Sequence, residues 1–368
     1  MFVTMFQRAM FATLCAAALP AQQLKVVPVG MDFVEGPAVS TTPFSATTGG
    51  IQLLIDASQV TQSVGYLNGI RFRPTQTTSS SAGFTKNYQI NLYTVPTTAA
   101  AFEASASPYD PNAIIAGATP TTVFNGPMTF PATAPLSLAP ASFSIHFPFT
   151  TPYIFDGTQG NLLIMLETTD LVPTPGTYRI DAVQFREDQI TGIAAPIDTA
   201  GCVVNGTSLT SAVNASRLVY NGSIDVTLAS IPASAFPAAI VTLGLVRADV
   251  DLGSLGLTGC TGRAGSLDLT QFAVSGGGVY PLVSWPVPNS TIFSGLALVS
   301  QSLGLAASGV FLDSAVSNAH ALRLAENLMP ATVTAMYGFH TVTMTTNAWF
   351  HGTVGQITPV VQLDGLFP

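Results

Sequence analysis

The sequence predicts an all-β protein, two consecutive antiparallel β-sandwiches of jelly-roll type behind a cleaved signal peptide, and three observations predict it. Helical periodicity is nearly absent, whereas short runs rich in Val, Ile, Thr and Phe alternate apolar and polar residues with period two. The 32 glycines and 26 prolines, with scattered asparagines, cut the 368 residues into strand-length pieces. Apolar residues make up 48% of the chain, enough for packed cores. Only 8% are charged, against a globular norm of about 25%, so the surface must be built from Thr, Ser, Asn, Gln and Gly.

The first element, residues 1–21, reads as an export signal. Arg8 precedes an uncharged run from Ala9 to Leu19, and Pro20, Ala21 and Gln22 follow. The run is roughly half of the ~20 residues that cross a bilayer, so no transmembrane segment is expected after cleavage. The expected cut follows Ala21, with Ala18 as the second site. Leu14 stands where a lipoprotein signal wants a small residue before Cys15. Cleavage removes Cys15 and leaves Cys202 and Cys260, an even pair in an oxidising compartment, which are expected to form a disulfide. Closing that loop stabilises a fold by about 4 kcal/mol in the chain-entropy model.

Residues 22–192 are expected to form the first sandwich. In the run 70–73, Ile70 and Phe72 are expected to face inward and Arg71 and Arg73 outward. Runs 88–93, 143–147 and 162–166 read as further strands, and the last lacks polar alternation, so burial on both faces is expected. Four Asn-Gly pairs, at Asn68, Asn125, Asn205 and Asn221, read as tight hairpin turns. The clearest is Asn221-Gly222, between 217–220 and 223–228. A boundary is expected near 190–200, where alternation fades. Runs 240–246, 267–272 and 295–303 belong to a second sandwich, 197–326, stapled by the disulfide. Residues 327–368 alternate again and are expected to be a β-prone tail or an extra hairpin.

Particular motifs resemble a known group. Ile55-Asp-Ala-Ser-Gln59, Gly69-Ile-Arg-Phe-Arg-Pro74, Phe149-Thr-Thr-Pro-Tyr153 and Gly160-Asn-Leu-Leu163 resemble uncharacterised secreted bacterial β-sandwich proteins. Gly201-Cys202, Leu252-Gly-Ser-Leu-Gly-Leu-Thr-Gly-Cys260, Val287-Pro-Asn289, Gly295-Leu-Ala-Leu-Val-Ser-Gln-Ser-Leu303 and Ser317-Asn-Ala-His-Ala-Leu-Arg323 look like a Cys-paired C-terminal module of exported planctomycete proteins. The resemblance implies export and β architecture and carries no catalytic residues. The chain departs from it by continuing about 45 residues past Arg323.

The chemistry-bearing residues are dispersed. There is no GxSxG, and His146, His320, His340 and His351 lack metal-ligand spacing. No metal site is expected; Asp249 and Asp251 are the nearest candidates, because alternate oxygens can converge on a hard cation, but the remaining ligands of a calcium loop are missing. Paired carboxylates of a glycosidase would have to come from Glu35, Asp56, Glu103, Glu167, Asp170 and Glu187, among which sequence does not choose. Arg71 and Arg73 are candidate ligand-binding residues, since guanidinium forks hold carboxylates and acidic sugars. Tyr66, Tyr88, Tyr93, Trp285 and Trp349 are candidates for stacking on sugar rings. Gly276-Gly277-Gly278 reads as a turn.

A net charge of −8 without a basic run argues against nucleic acid and anionic membranes as partners. The expected function is that of an exported, non-catalytic surface, matrix or adhesion protein, with polysaccharide or other cell-surface components as partners and no cofactor. The alternative is a secreted carbohydrate-active hydrolase with paired carboxylates.

Overall fold

The computed structural model describes residues 23–325, 333–338 and 357–367, apart from interruptions at 33, 37, 42, 45–48, 76–79, 105–113, 116, 135–139, 170–176 and 184–191. The export signal lies outside the described residues. The fold is mostly β, arranged as several antiparallel sheets, in line with the all-β expectation. No helix among the described residues is long and apolar enough to cross a membrane.

Two sheets share the largest core. One has four strands in the order Gln23–Val27, Val361–Leu366, Val64–Phe72, Ile145–Asp156. The other has five, in the order Val333–Gly338, Gly50–Ile55, Asn161–Thr168, Phe84–Val95, Thr121–Phe130. Alternation sends Ile70, Phe72 and Leu363 of the first and Ile51, Leu53, Ile90 and Leu92 of the second into one apolar cluster. Phe72, Tyr88, Phe124 and Phe130 meet Phe147 edge-on or tilted, at centroid separations of 5.3–6.2 Å. Such pairs add about 0.5–1.5 kcal/mol each beyond the area they bury. Asn161–Thr168 is buried on both faces, as its unbroken apolar run requires: Leu162, Ile164 and Leu166 join this cluster, while Leu163 and Met165 join another on the far side. A three-stranded sheet, Ala38–Ser40, Ile180–Val183 and Thr358–Pro359, adds to this part of the chain.

The described strands of the C-terminal segment do not pair with one another. Its described strands pair with N-terminal ones, Val333–Gly338 at the edge of the five-stranded sheet and Val361–Leu366 between Gln23–Val27 and Val64–Phe72. The physical reason is burial: Val361 and Leu363 are 0% and 1% exposed beneath the aromatic core, a position no appended hairpin could reach.

Residues 193–323 make their own sheets. Six strands include Ile193–Pro196, His320–Arg323, Ala297–Leu305, Ala238–Gly244 and Leu269–Val274 in sequence of pairing, with Ala315–Val316 beside Ala297–Leu305. Four strands, Val203–Val204, Thr207–Val213, Ser223–Ile231 and Val283–Pro286, face a second apolar cluster with them. Cys202 and Cys260 are disulfide-bonded as expected, with Cα atoms 5.0 Å apart, and Cys260 packs with Leu257 and Val316. The expected boundary is itself structured: Ile193–Pro196 pairs with His320–Arg323, and Ile193 and Ile197 join Met31, Val34 and Val299 in a third cluster.

The Asn-Gly pairs divide by context. Asn205-Gly206 makes the two-residue turn joining Val203–Val204 to Thr207–Val213, with both residues at positive φ (51° and 78°). At Asn221-Gly222 the expected hairpin is absent. Asn221 does take φ 56°, but residues 215–217 form a 3-10 turn, and the partner of Ser223–Ile231 is Thr207–Val213 across a longer connection. Asn68-Gly69 sits inside a strand, where the register slips by one residue on the side of Val361–Leu366 and by three on the side of Ile145–Asp156, and Asn125-Gly126 also lies within a strand.

Candidate functional site

The outer face of the five-stranded sheet is divided into an apolar and a polar half. At one end Leu54, Tyr93, Val95, Leu163 and Met165 are covered by Phe102, from the helix Ala99–Ala104, and by Ile114. At the other end the same alternation brings mainly polar groups outward, with Pro127 opposite Asn87. Register sets Gln89 between Glu167 and Asn125, Asn91 between Met165 and Thr122, and Thr85 opposite Thr129. Asn91 Oδ1 accepts from Thr122 Oγ1 at 2.7 Å and from Gln89 Nε2 at 3.2 Å, and the hydroxyls of Thr85 and Thr129 lie 2.9 Å apart. Asn91 is 8% exposed, whereas Thr85, Thr122, Asn125 and Thr129 are open to solvent.

Glu167 stands within this polar half. It is half-buried and meets neither a cation nor a hydrogen-bond donor among the described residues. Burial pushes its carboxyl up from 4.5 to about 7. Burial also raises the Tyr93 hydroxyl, and the Glu167 charge adds to that. Near neutral pH Glu167 therefore exists in both forms, so it can donate or accept a hydrogen bond. Amides, hydroxyls and one adaptable carboxyl on a rigid sheet can hydrogen-bond the hydroxyls of a polyol. The sequence contained one sign of this site: Glu167 ends a five-residue apolar run on a strand buried on both faces.

The two arginines that sequence treats alike have opposite surroundings. Arg71 lies partly exposed on the four-stranded sheet, where its Nη2 is 3.1 Å from Asp364 Oδ2 and His146 Nε2 is 3.6 Å from the same oxygen. Its fork is thus engaged by a strand from the other end of the chain. Burial and the Arg71 charge hold His146 below its usual value, with Asp364 opposing them, so the ring is largely neutral at pH 7. Gly69 makes room for that ring, since a Cβ there would come 2.8 Å from Nε2.

Arg73, expected to face outward, is 0% exposed. Its Nε donates to Asp181 Oδ2 at 2.7 Å, its Nη2 donates to Val34 O, and the guanidinium lies 4.8 Å from the Phe143 ring centre. The cause lies past the end of its strand: Asp181 N donates to Arg73 O at 3.0 Å and Pro74 bridges Ile180, so Ile180–Val183 covers the side that alternation assigned to solvent. Burial raises Asp181 to about 6, against the pull of Arg73, and the N–H of Gly36 also lowers it.

The other candidates do not converge. Asp249 accepts from Arg263 Nη1 and lies 3.8 Å from Arg247, whereas Asp251 accepts from Gly253 N at 2.8 Å and caps the turn Leu252–Leu255. Among the described residues no group of three His, Cys, Asp or Glu could hold a metal ion. His320 is buried, its Nε2 2.8 Å from Ser211 O and 3.0 Å from Asn318 Nδ2. Glu35 accepts from Thr75 Oγ1 and Asp56 from Ala99 N. Tyr88 and Trp285 belong to cores, and Tyr66 is half-exposed. Gly277 and Gly278 form the expected turn at positive φ. Asp170, Glu187, His340, His351, Trp349 and the Glu103 side chain lie outside the described residues.

Compared with family models, with curated proteins and with solved structures, the chain finds no match.

Proposed function

We propose that this chain is an exported, non-catalytic surface or matrix protein, built from two β-sandwiches, that binds glycan on the polar half-face around Glu167. The observation that carries the reading is that half-face: Gln89, Asn91, Thr122 and Asn125 flank one carboxyl on a rigid sheet, with no other charge in these rows. Uncharged donors and acceptors suit sugar hydroxyls better than nucleic acid or a charged peptide. The leader, the disulfide-bonded Cys202 and Cys260, and the resemblance to secreted bacterial β-sandwich proteins support the extracytoplasmic setting. Arg71 and Arg73 take no part in this version, because each is held by a carboxylate.

Glycan-array screening of the purified chain, followed by titration calorimetry, tests the proposal. Gln89→Ala with Asn125→Ala is expected to weaken binding about tenfold, at roughly 0.5–1.5 kcal/mol per hydrogen bond lost. Retention of no glycan would reduce the proposal to a structural role. A hydrolase is the second reading, favoured by a Glu167 carboxyl near 7, as a general acid requires. Its difficulty is the partner. Glu167 pairs with Gly50, and Asp56 lies six residues further along, about 20 Å at a strand's rise per residue, whereas hydrolase pairs stand about 5–9.5 Å apart. Release of reducing ends from a retained glycan, abolished by Glu167→Gln, would favour that second reading.

A further inference from the structure

Within residues 193–323, a cleft of about 280 Å³ opens between the edge strands Leu269–Val274 and Val283–Pro286 and runs into the second core. Twelve apolar residues line it, among them Ile224, Leu243, Leu269, Trp285 and Leu298, together with one carboxylate, Asp268. Folded cores leave few voids larger than a water molecule. A wall with so few polar groups offers ordered water few of the two to four polar partners it needs, so the space suits an apolar occupant. A dry cavity of about 150 Å³ takes benzene, with six heavy atoms, so this one would take about eleven.

Asp268 supplies the second feature. Its Oδ2 accepts from Leu245 N at 2.8 Å and from Ser266 Oγ, and it meets no cation among the described residues. Those bonds, the Ser266 hydroxyl first, hold the carboxyl below its usual range, so it is anionic at neutral pH. The Trp285 indole in the same wall is the ring type that cations favour most.

We propose that this cleft binds an apolar molecule of about eleven heavy atoms carrying one protonated amine, with its body among Leu243, Trp285 and Leu298 and its ammonium at Asp268. The site is separate from the half-face around Glu167, so neither reading depends on the other.

Titration calorimetry of the full chain with 4-phenylbutylamine, 4-phenylbutan-1-ol and 4-phenylbutyrate tests it. The amine should bind about two- to fivefold tighter than the alcohol, the range of a solvent-exposed ion pair, and the butyrate weakest. Asp268→Asn should bring the amine to the affinity of the alcohol and leave the alcohol unchanged. Leu269→Trp at the half-exposed mouth should abolish binding of all three, and thermal melts report whether each variant remains folded. Equal affinity for amine and alcohol in the unaltered chain overturns the charge recognition. Absence of amine binding at millimolar concentration, or amine binding that survives in a folded Leu269→Trp variant, overturns the site.

Discussion

Replacing Glu167 by Gln should make the protein more stable, and increasingly so as pH rises. The folded-state carboxyl titrates near 7, against 4.5 for an unrestrained glutamate, because burial disfavours its charge. A raised carboxyl pKa means that the folded state holds its proton more tightly than the unfolded chain. The associated stability is therefore full below about 4.5 and is lost as pH rises through 7. At about 1.4 kcal/mol per pH unit, ionising Glu167 costs the wild-type fold under 1 kcal/mol at pH 5 and about 3 kcal/mol at pH 8. Gln is nearly isosteric and neutral throughout, so it carries no such slope. Asp181, which burial raises to about 6, titrates in an overlapping window in both proteins and cancels from the difference. Guanidinium unfolding at pH 5 and pH 8 measures the effect: Glu167→Gln should gain about 2 kcal/mol on wild type between the two. Parallel pH profiles for the two proteins would mean that Glu167 is ionised at no cost, and the reasoning from its burial would be refuted.

The two arginines predict a contrast. Arg73→Ala leaves Asp181 as an uncompensated buried charge and should cost about 3–5 kcal/mol, whereas Arg71→Ala breaks a partly exposed pair and should cost about 1 kcal/mol or less; urea unfolding of both variants gives the comparison. Cys202→Ser with Cys260→Ser opens a loop of 58 residues and should cost about 4 kcal/mol, and the unreduced wild type should show no alkylatable thiol at either position by mass spectrometry.

The class of fold, most strand positions and the disulfide were legible, because each depends on local information. Alternation marks a strand such as Ala238–Gly244, an unbroken apolar run marks the doubly buried Asn161–Thr168, and the two cysteines outside the expected leader have only each other. Partners across the sheet were not legible. Leu363 alternates in the same way whether its strand lies in a hairpin with 333–338 or, as here, between Gln23–Val27 and Val64–Phe72. The same gap hid both environments of the arginines: Arg71 meets Asp364 from 293 residues away, and Arg73 is covered by Ile180–Val183. Asn-Gly does not by itself signal a hairpin: it makes a turn at positive φ at Asn205-Gly206, whereas at Asn68-Gly69, where neither residue takes positive φ, it accompanies a register slip inside a strand. Glu167 was one acid among six, and only the sheet register, which sets it beside Gln89 and near Asn125, separates it from the rest.

That non-local pairing leads to a test of how the chain is divided. Every strand within 193–323 pairs with another strand of that segment, and Ile193 stands opposite Arg323, so the two ends of the segment are adjacent. The sheets outside it draw on both 23–183 and 333–366. A fragment of residues 192–325 therefore keeps all its strand partners and its disulfide. It loses the cover that Met31, Val34 and Val360 give to Ile193, Ile197 and Val299, and the bond from Arg323 Nε to Val29 O. Full exposure of three aliphatic side chains costs about 1.5–3 kcal/mol each, and only part of each surface is uncovered, so the fragment should fold with a lowered melting temperature. The complementary truncation after residue 326 should fail. It removes Val333–Gly338 and Val361–Leu366, exposing Ile70, Phe72 and the aromatic core beneath them, a loss comparable with the whole stability of a domain. Soluble yield and near-ultraviolet circular dichroism of the two products decide the matter. A folded 1–326 product would mean that the C-terminal strands are dispensable to the sheets they enter, and an unfolded 192–325 fragment would mean that the third cluster, rather than strand pairing, holds that segment together.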